Sequence, residues 1–158
     1  MKLMKKLNIE DTNAIETCAK MMANSEPWIT LGRDFEASVQ TLSDPTKEVY
    51  LAYSADEIAG FIILNMKGAF IGYIQTVCIS PMQRGKGIGS QLINFAEERI
   101  FGEVPNVFMC VSSFNTGAQK LYQKLGYEII GEMKDYIISG HSEILLRKSI
   151  SPLSEFEK

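Results

Sequence analysis

The residues Gln83-Arg84-Gly85-Lys86-Gly87-Ile88-Gly89-Ser90 could do chemistry as a unit. Residues 73–80 before them read as a strand ended by Pro81, and residues 91–100 after them read as a helix. A glycine-rich turn therefore joins a strand's end to a helix's start. Amide N–H groups and the positive end of the helix dipole meet there, and a phosphate is the natural guest. Glycine lets the backbone approach a ligand closely, because no Cβ intervenes. Arg84 and Lys86 add full positive charge to the partial charge of the amides.

Two common phosphate motifs do not fit. The P-loop needs G-x-x-x-x-G-K-[ST], but Lys86 falls between the first two glycines of this stretch. The dinucleotide fingerprint needs G-x-G-x-x-G, and the last spacing here is one residue short. What remains is Arg84-x-x-Gly87-x-Gly89 after a strand. It resembles the acetyl-coenzyme A pyrophosphate loop of the GNAT N-acetyltransferase superfamily, Gln/Arg-x-x-Gly-x-Gly/Ala. A second block, Asn115-Thr116-Gly117-Ala118-Gln119-Lys120-Leu121-Tyr122-Gln123-Lys124-Leu125-Gly126-Tyr127, resembles that family's Asn-x-x-Ala-x-x-x-Tyr-x-x-x-Gly-Phe/Tyr. Two motifs in the right order and separation are far more specific than either alone.

The resemblance implies a set of roles. Arg84, Gly85, Lys86, Gly87, Ile88, Gly89 and Ser90 would hold the pyrophosphate of acetyl-coenzyme A. Val77, Cys78 and Ile79 would run along its acyl-pantetheine arm, with a main-chain amide there as oxyanion donor. Asn115 is a natural helix N-cap, and by resemblance it also contacts the cofactor. Tyr122 falls on an apolar helix face with Ala118, Leu121 and Leu125, as a core aromatic would. In the family the matching tyrosine is the general acid for the departing thiolate. Cys78 lies among Val and Ile with no His or Asp partner nearby in sequence, which suits packing better than nucleophilic catalysis.

The acceptor side is less complete. Related enzymes often carry a glutamate on one of two central strands. The matching positions here are Cys110 and Tyr73. Deprotonation would pass through water held by Tyr73, Gln75 or backbone carbonyls, or be done by Glu26 from the loop between the first two helices. Trp28 in that loop is either a hydrophobic plug or an aromatic wall for the acceptor, with Glu26 attracting its ammonium. Tyr136 lies where protein N-terminal acetyltransferases place a substrate-gripping tyrosine. The implied partners are acetyl-coenzyme A and a small amine or a peptide N-terminus. A homodimer is compatible with the resemblance. A coenzyme A-binding regulator that has lost catalysis is the rival reading, kept alive by the missing glutamates.

Composition sets the frame. At 158 residues the chain is long enough for one domain with a real core. Its net charge of −3 argues against a nucleic-acid binder relying on bulk basicity. The three cysteines, Cys18, Cys78 and Cys110, are widely spaced in apolar segments, as free thiols in a reducing compartment would be. With one histidine, His141, and no C-x-x-C, no metal site is expected. His141 itself reads as a solvated turn residue. Residues 1–8 lack an apolar core, so no signal peptide is expected, and no apolar run reaches membrane-spanning length. A cytoplasmic location follows as an expectation.

The elements that must position these residues follow from periodicity. Residues 1–7 read as a short edge strand. Asp11 or Thr12 caps a helix to about Asn24, and a shorter helix spans about 34–42. Strands at 48–54, 58–66 and 71–80 form an antiparallel meander, the last bulged at Gln75 and Thr76. The 89–100 helix and a strand at 107–111 imply a right-handed crossover to a parallel neighbour. A helix at 116–125 is closed by Gly126, and a hairpin spans 127–138 and 141–150. Residues 151–158 read as a frayed polar tail after a single domain of residues 1–150. The expected fold is α/β (α+β): a mixed, mostly antiparallel sheet of about seven strands flanked by four helices, as in GNAT proteins.

Overall fold

The computed structural model describes residues 3–158. In chain order it contains β1 (Leu3–Lys6), α1 (Thr12–Ala23), α2 (Phe35–Leu42), β2 (Glu48–Ser54), β3 (Glu57–Asn65), β4 (Tyr73–Ile79), α3 (Ile88–Phe101), β5 (Asn106–Ser112), α4 (Thr116–Lys124), β6 (Glu128–Lys134) and β7 (Ser142–Ser149). Seven strands make one sheet in the order β1-β2-β3-β4-β5-β7-β6. Only β4 and β5 are parallel; every other neighbouring pair is antiparallel. The expected mixed sheet with four helices is the one observed. Met1 and Lys2 lie outside the described residues, so the expected edge strand is seen from Leu3. Among the described residues no helix is long and apolar enough to cross a membrane.

Local chemistry starts and stops these helices. The Asp11 carboxylate accepts from Ala14 N at 3.1 Å and opens α1, and Asp34 accepts from Ala37 N at 2.9 Å and opens α2. Asn115 Oδ1 accepts from Ala118 N at 3.3 Å and opens α4. Gly126, at φ +96°, closes it in the left-handed region that glycine enters without a Cβ clash.

Two apolar cores sandwich the sheet. Ile15, Cys18, Ala19 and Met22 recur at helical spacing on α1 and pack with Leu42, Phe61, Ile63 and Cys78 on one face. Leu92, Ile93, Ala96 and Ile100 of α3 pack with Ile62, Leu64, Ile74, Val107 and Met109 on the other. A large apolar side chain buried this fully contributes about 1.5–3 kcal/mol.

The β3–β4 register skips one residue. Ile63 pairs with Thr76 and Leu64 with Ile74, so Gln75 is the extra residue of a bulge, at one of the two expected positions. The bulge changes which face each later side chain meets. Ile74 and Val77 both meet the α3 core, although three residues apart. A regular strand would send them to opposite faces.

The parallel pairing of β4 with β5 lasts two residues, Tyr73↔Phe108 and Ile74↔Met109. Beyond it the strands part. β5 keeps its full pairing with β7, and β4 keeps its pairing with β3. α3 packs against β3, β4 and β5 and so spans the parting.

Three local expectations change. β6 stops at Lys134, because Asp135 turns into the left-handed region at φ 53°. Its carboxylate accepts from Gly140 N at 2.7 Å and its N–H donates to His141 O at 3.1 Å, so residues 135–141 form a closed loop carrying Tyr136. His141 packs edge-on against Phe114, ring centroids 4.9 Å apart, instead of standing in solvent. The tail contains a 3-10 turn at Leu153–Glu155, and Ile150 N donates to Pro105 O at 3.0 Å.

Candidate active site

The parting of β4 and β5 opens a cavity of about 1080 Å³. Gln75, Thr76, Val77, Cys78 and Ile79 form one wall, and Met109, Cys110, Val111 and Ser112 form the other. Among the described residues, the β4 edge facing this gap has no strand partner from Gln75 onward. Its free amides and carbonyls can therefore pair with a ligand lying along the strand.

At one end sits the glycine loop. Gly87 is the N-cap of α3 in the left-handed region, at φ 78°, with no side-chain cap. The first α3 amides are thus left for a guest. A Cβ built on Gly85 or Gly87 would meet nothing within 4 Å, so the loop faces open space. Gly85 and Gly89 line the cavity, whereas Lys86, Gly87, Ile88 and Ser90 do not. Ile88 is buried in the α3 core, and Lys86 Nζ donates to Gln83 Oε1 at 3.3 Å. Arg84 is anchored: its Nε donates to Ile79 O at 3.3 Å and its Nη2 to Ser25 Oγ at 3.1 Å. Ser25 Oγ in turn donates to Met21 O at 2.6 Å, which ties the end of α1 to the loop. Nothing in the sequence around Ser25 signalled this link across 59 positions.

Asn115 and Tyr122 reach the same cavity from α4. The Tyr122 side chain is 9% exposed, and burial alone pushes its phenol up to about 12. No hydrogen bond to its hydroxyl is formed among the described residues; its ring meets Tyr127 edge-on, centroids 6.4 Å apart. A protonated phenol facing the cavity is a proton donor without an acceptor among the described residues. Cys78 is buried and its thiol is pushed up to about 12 by burial, against smaller opposing effects from Ser25 and Arg84. It stays a thiol at neutral pH, which suits packing.

Glu26, Trp28, Tyr73, Gln75 and Tyr136 also line the cavity, Glu26 directly after the Ser25 that meets Arg84. Glu26 lines the cavity, but both of its oxygens are engaged by Thr30: the backbone N–H donates at 2.9 Å and the hydroxyl makes a second bond. Trp28 is buried in the α1–α2 core and also lines the cavity. Gln75 Oε1 accepts from Asn65 Nδ2 at 3.1 Å and from Lys47 Nζ, which fixes its amide. Tyr73 is pushed well up by burial, and the neighbouring Cys110 adds to this. Tyr136 is 62% exposed at the mouth.

Sequence reasoning missed Glu143. It sits on β7 opposite Ser112 of β5, buried, and lines the cavity. Burial pushes its carboxyl up; the Ser112 hydroxyl and the charge of Arg33 pull it part of the way back. The Ser112 hydroxyl has no hydrogen bond of good geometry. The period-two alternation of the last strand sets Glu143 and Leu145 on one face and Ile144 and Leu146 on the other, but only the register shows that the Glu143 face meets the cavity.

Known proteins resemble this chain in sequence and in fold. The acetyltransferase (GNAT) family matches residues 10–127. GCN5-related N-acetyltransferase 6, chloroplastic, of Arabidopsis thaliana is 37% identical over 73 residues, 44% of this chain and 25% of that protein. The matched stretches span 25%, 29% and 50% of three curated relatives, so the chain covers half their length or less. Among solved structures, an aminoglycoside 6'-N-acetyltransferase complexed with coenzyme A superposes with TM-score 0.77 at 16% identity, over 95% of this chain and 98% of that one. The ribosomal-protein-S18-alanine N-acetyltransferase from Escherichia coli superposes with TM-score 0.75 at 16% identity, over 100% and 99%. At such identities the structures speak for the fold, and the sequence match for the family. The uncapped loop, the parted strands and the open phenol belong to a chain that is a member of the acetyltransferase (GNAT) family.

Proposed function

We propose that the chain transfers an acetyl group from acetyl-coenzyme A to a primary amine by direct attack within a ternary complex. The observation that carries this reading is the Tyr122 phenol, unpartnered and protonated, facing the same cavity as the uncapped α3 loop.

The residues present fit that substrate. The α3 amides and the Arg84 charge suit a pyrophosphate. The free edge of β4 at Val77, Cys78 and Ile79 suits the amide-bearing arm, and Asn115 stands beside it. When bound, the thioester supplies the acyl group. A β4 amide would stabilise the negative charge that develops on its carbonyl oxygen. Tyr122 would protonate the departing sulfur. In this scheme Glu26 closes the loop over the acceptor end, with Trp28 beneath it, while Tyr73 and Gln75 line the acceptor path.

The test is release of free thiol from acetyl-coenzyme A against a panel of amines, with coenzyme A binding followed by calorimetry. Turnover with at least one amine supports transfer. Binding without turnover on any amine supports the catalytically silent reading. A peptide N-terminus is the alternative acceptor, favoured by exposed Tyr136 at the mouth. Peptides with free N-termini therefore belong in the panel.

A further inference from the structure

A second cavity, of about 360 Å³, meets the first at a shared wall. Tyr73, Cys110, Tyr136, Ile137 and Glu143 line both. Beyond that wall the second cavity is largely apolar: Ala69, Phe70, Met133 and Leu145, with Asn65 and Lys67. Its surroundings expose apolar surface, with Phe70 52% and Ile137 38% exposed. Exposed apolar groups gathered at a cavity mark a binding surface better than scattered ones do.

Glu143 is the ionisable acid at the shared wall. Its residue is 7% exposed, and it forms no ion pair among the described residues. A carboxylate taken this far out of water without a cation is costly. The groups facing it are Tyr73 from β4, Cys110 and Ser112 from β5, Tyr136 from the β6–β7 loop, and the more distant charge of Arg33. Burial pushes Tyr73 and Cys110 up, so both stay neutral near pH 7. None of these neutralises Glu143 by contact. Both cavities give a cation from solvent access to it.

We propose that Glu143 binds the ammonium group of the acceptor and takes the proton that must leave before attack, and that the acceptor is a singly charged primary amine on an apolar body. This rests on the acetyl-transfer reading above. The single positive charge follows from the walls: Arg33, Lys47, Lys67 and Arg84 line the two cavities, against two carboxylates among the described lining residues, buried Glu143 and exposed Glu26, whose oxygens Thr30 already engages. A polycation would meet more repulsion than attraction. The apolar body follows from Phe70, Met133 and Leu145.

The protons balance. The ammonium gives one proton to Glu143, which later releases it to solvent. The free amine forms the C–N bond, and the C–S bond breaks. The sulfur takes its proton from Tyr122, and the second proton lost by the nitrogen restores Tyr122.

The experiment uses the full chain with 2-phenylethylamine and spermidine as probes. Wild type should prefer 2-phenylethylamine in kcat/KM by about tenfold or more. Glu143→Gln keeps the shape and removes the charge. It should lower kcat/KM for 2-phenylethylamine by about 10²-fold or more and flatten the acidic limb of the pH profile. Coenzyme A affinity and the melting temperature should stay close to wild type. Glu143→Asp should recover about tenfold over the Gln variant. A Gln variant within about threefold of wild type at all pH values would overturn the assignment, as would spermidine as the better acceptor. Failure of wild type to bind acetyl-coenzyme A would instead overturn the acetyl-transfer reading, and this assignment with it.

Discussion

Lys148 on β7 donates to both carboxylate oxygens of Glu97 on α3, at 2.9 and 3.0 Å. Tyr127 Oη donates to Glu97 Oε1 at 3.0 Å, and the Tyr127 ring packs edge-on against Tyr122. One mostly buried carboxylate thus ties a helix, a strand and the ring that supports the phenol in the cavity. Glu97→Ala would leave Lys148 and Tyr127 without their partner. The expected loss is about 2 kcal/mol, a fall in Tm of roughly 4–8 °C for a chain of this size. Thermal melting checks it, and an unchanged Tm would mean that solvent replaces the carboxylate at no cost.

Gly87 tests the phosphate site. A side chain fits sterically there, but φ 78° strains most residues, Asn and Asp less than others. Gly87→Asn should keep much of the coenzyme A affinity, whereas Gly87→Asp sets a negative charge beside the uncapped amides and should abolish it. Calorimetry on both folded variants separates charge from backbone strain. Equal affinities would remove the loop from the binding site.

Tyr122→Phe deletes the hydroxyl and keeps the ring. The expected drop in kcat is about 10²–10⁴-fold, with coenzyme A affinity little changed. Burial raises the phenol to about 12, so the acid form is complete at pH 7 and still complete at pH 9. The ratio of wild type to variant should therefore be the same at both pH values. A ratio that collapses by pH 9 would show that the phenol ionises earlier than its burial dictates.

Glu26 was the nearest carboxylate that the sequence offered for the base. Thr30 engages both of its oxygens. Glu26→Gln should therefore leave the pH profile of kcat unchanged, with any effect appearing in KM through the loop. A flattened acidic limb in this variant would return the base to Glu26.

Local chemistry made most of the fold legible. Asp11, Asp34 and Asn115 cap helices because their short acceptors reach the amide three positions on, a rule contained in the segment itself. The bulge at Gln75 showed as a polar break in an apolar run. What stayed hidden depends on pairings between distant segments. Lys47 meets Gln75 across 28 positions, and Arg84 meets Ser25 across 59. Glu143 is buried because of its register against Ser112, and no property of residues 142–149 alone reveals that a cavity lies on its inner side. The early end of β6 turned on Asp135 entering the left-handed region, which its neighbours in sequence do not demand.

The two-residue contact between β4 and β5 makes the sheet two leaves on a short spine, with α3 as the splint across them. Each leaf holds its own ladder of antiparallel bonds, so neither relies on the other for most of its backbone pairing. Such a seam is where local opening should cost least. Gap-facing amides of residues 75–79 should exchange hydrogen faster than their neighbours bonded to β3. A ligand threaded along the gap supplies the missing rungs and stitches the leaves together, which slows that exchange and raises Tm as its concentration passes its dissociation constant. If the gap admits the proposed substrate, the entrance is in this way also the weakest seam of the sheet, and occupancy would make the sheet continuous.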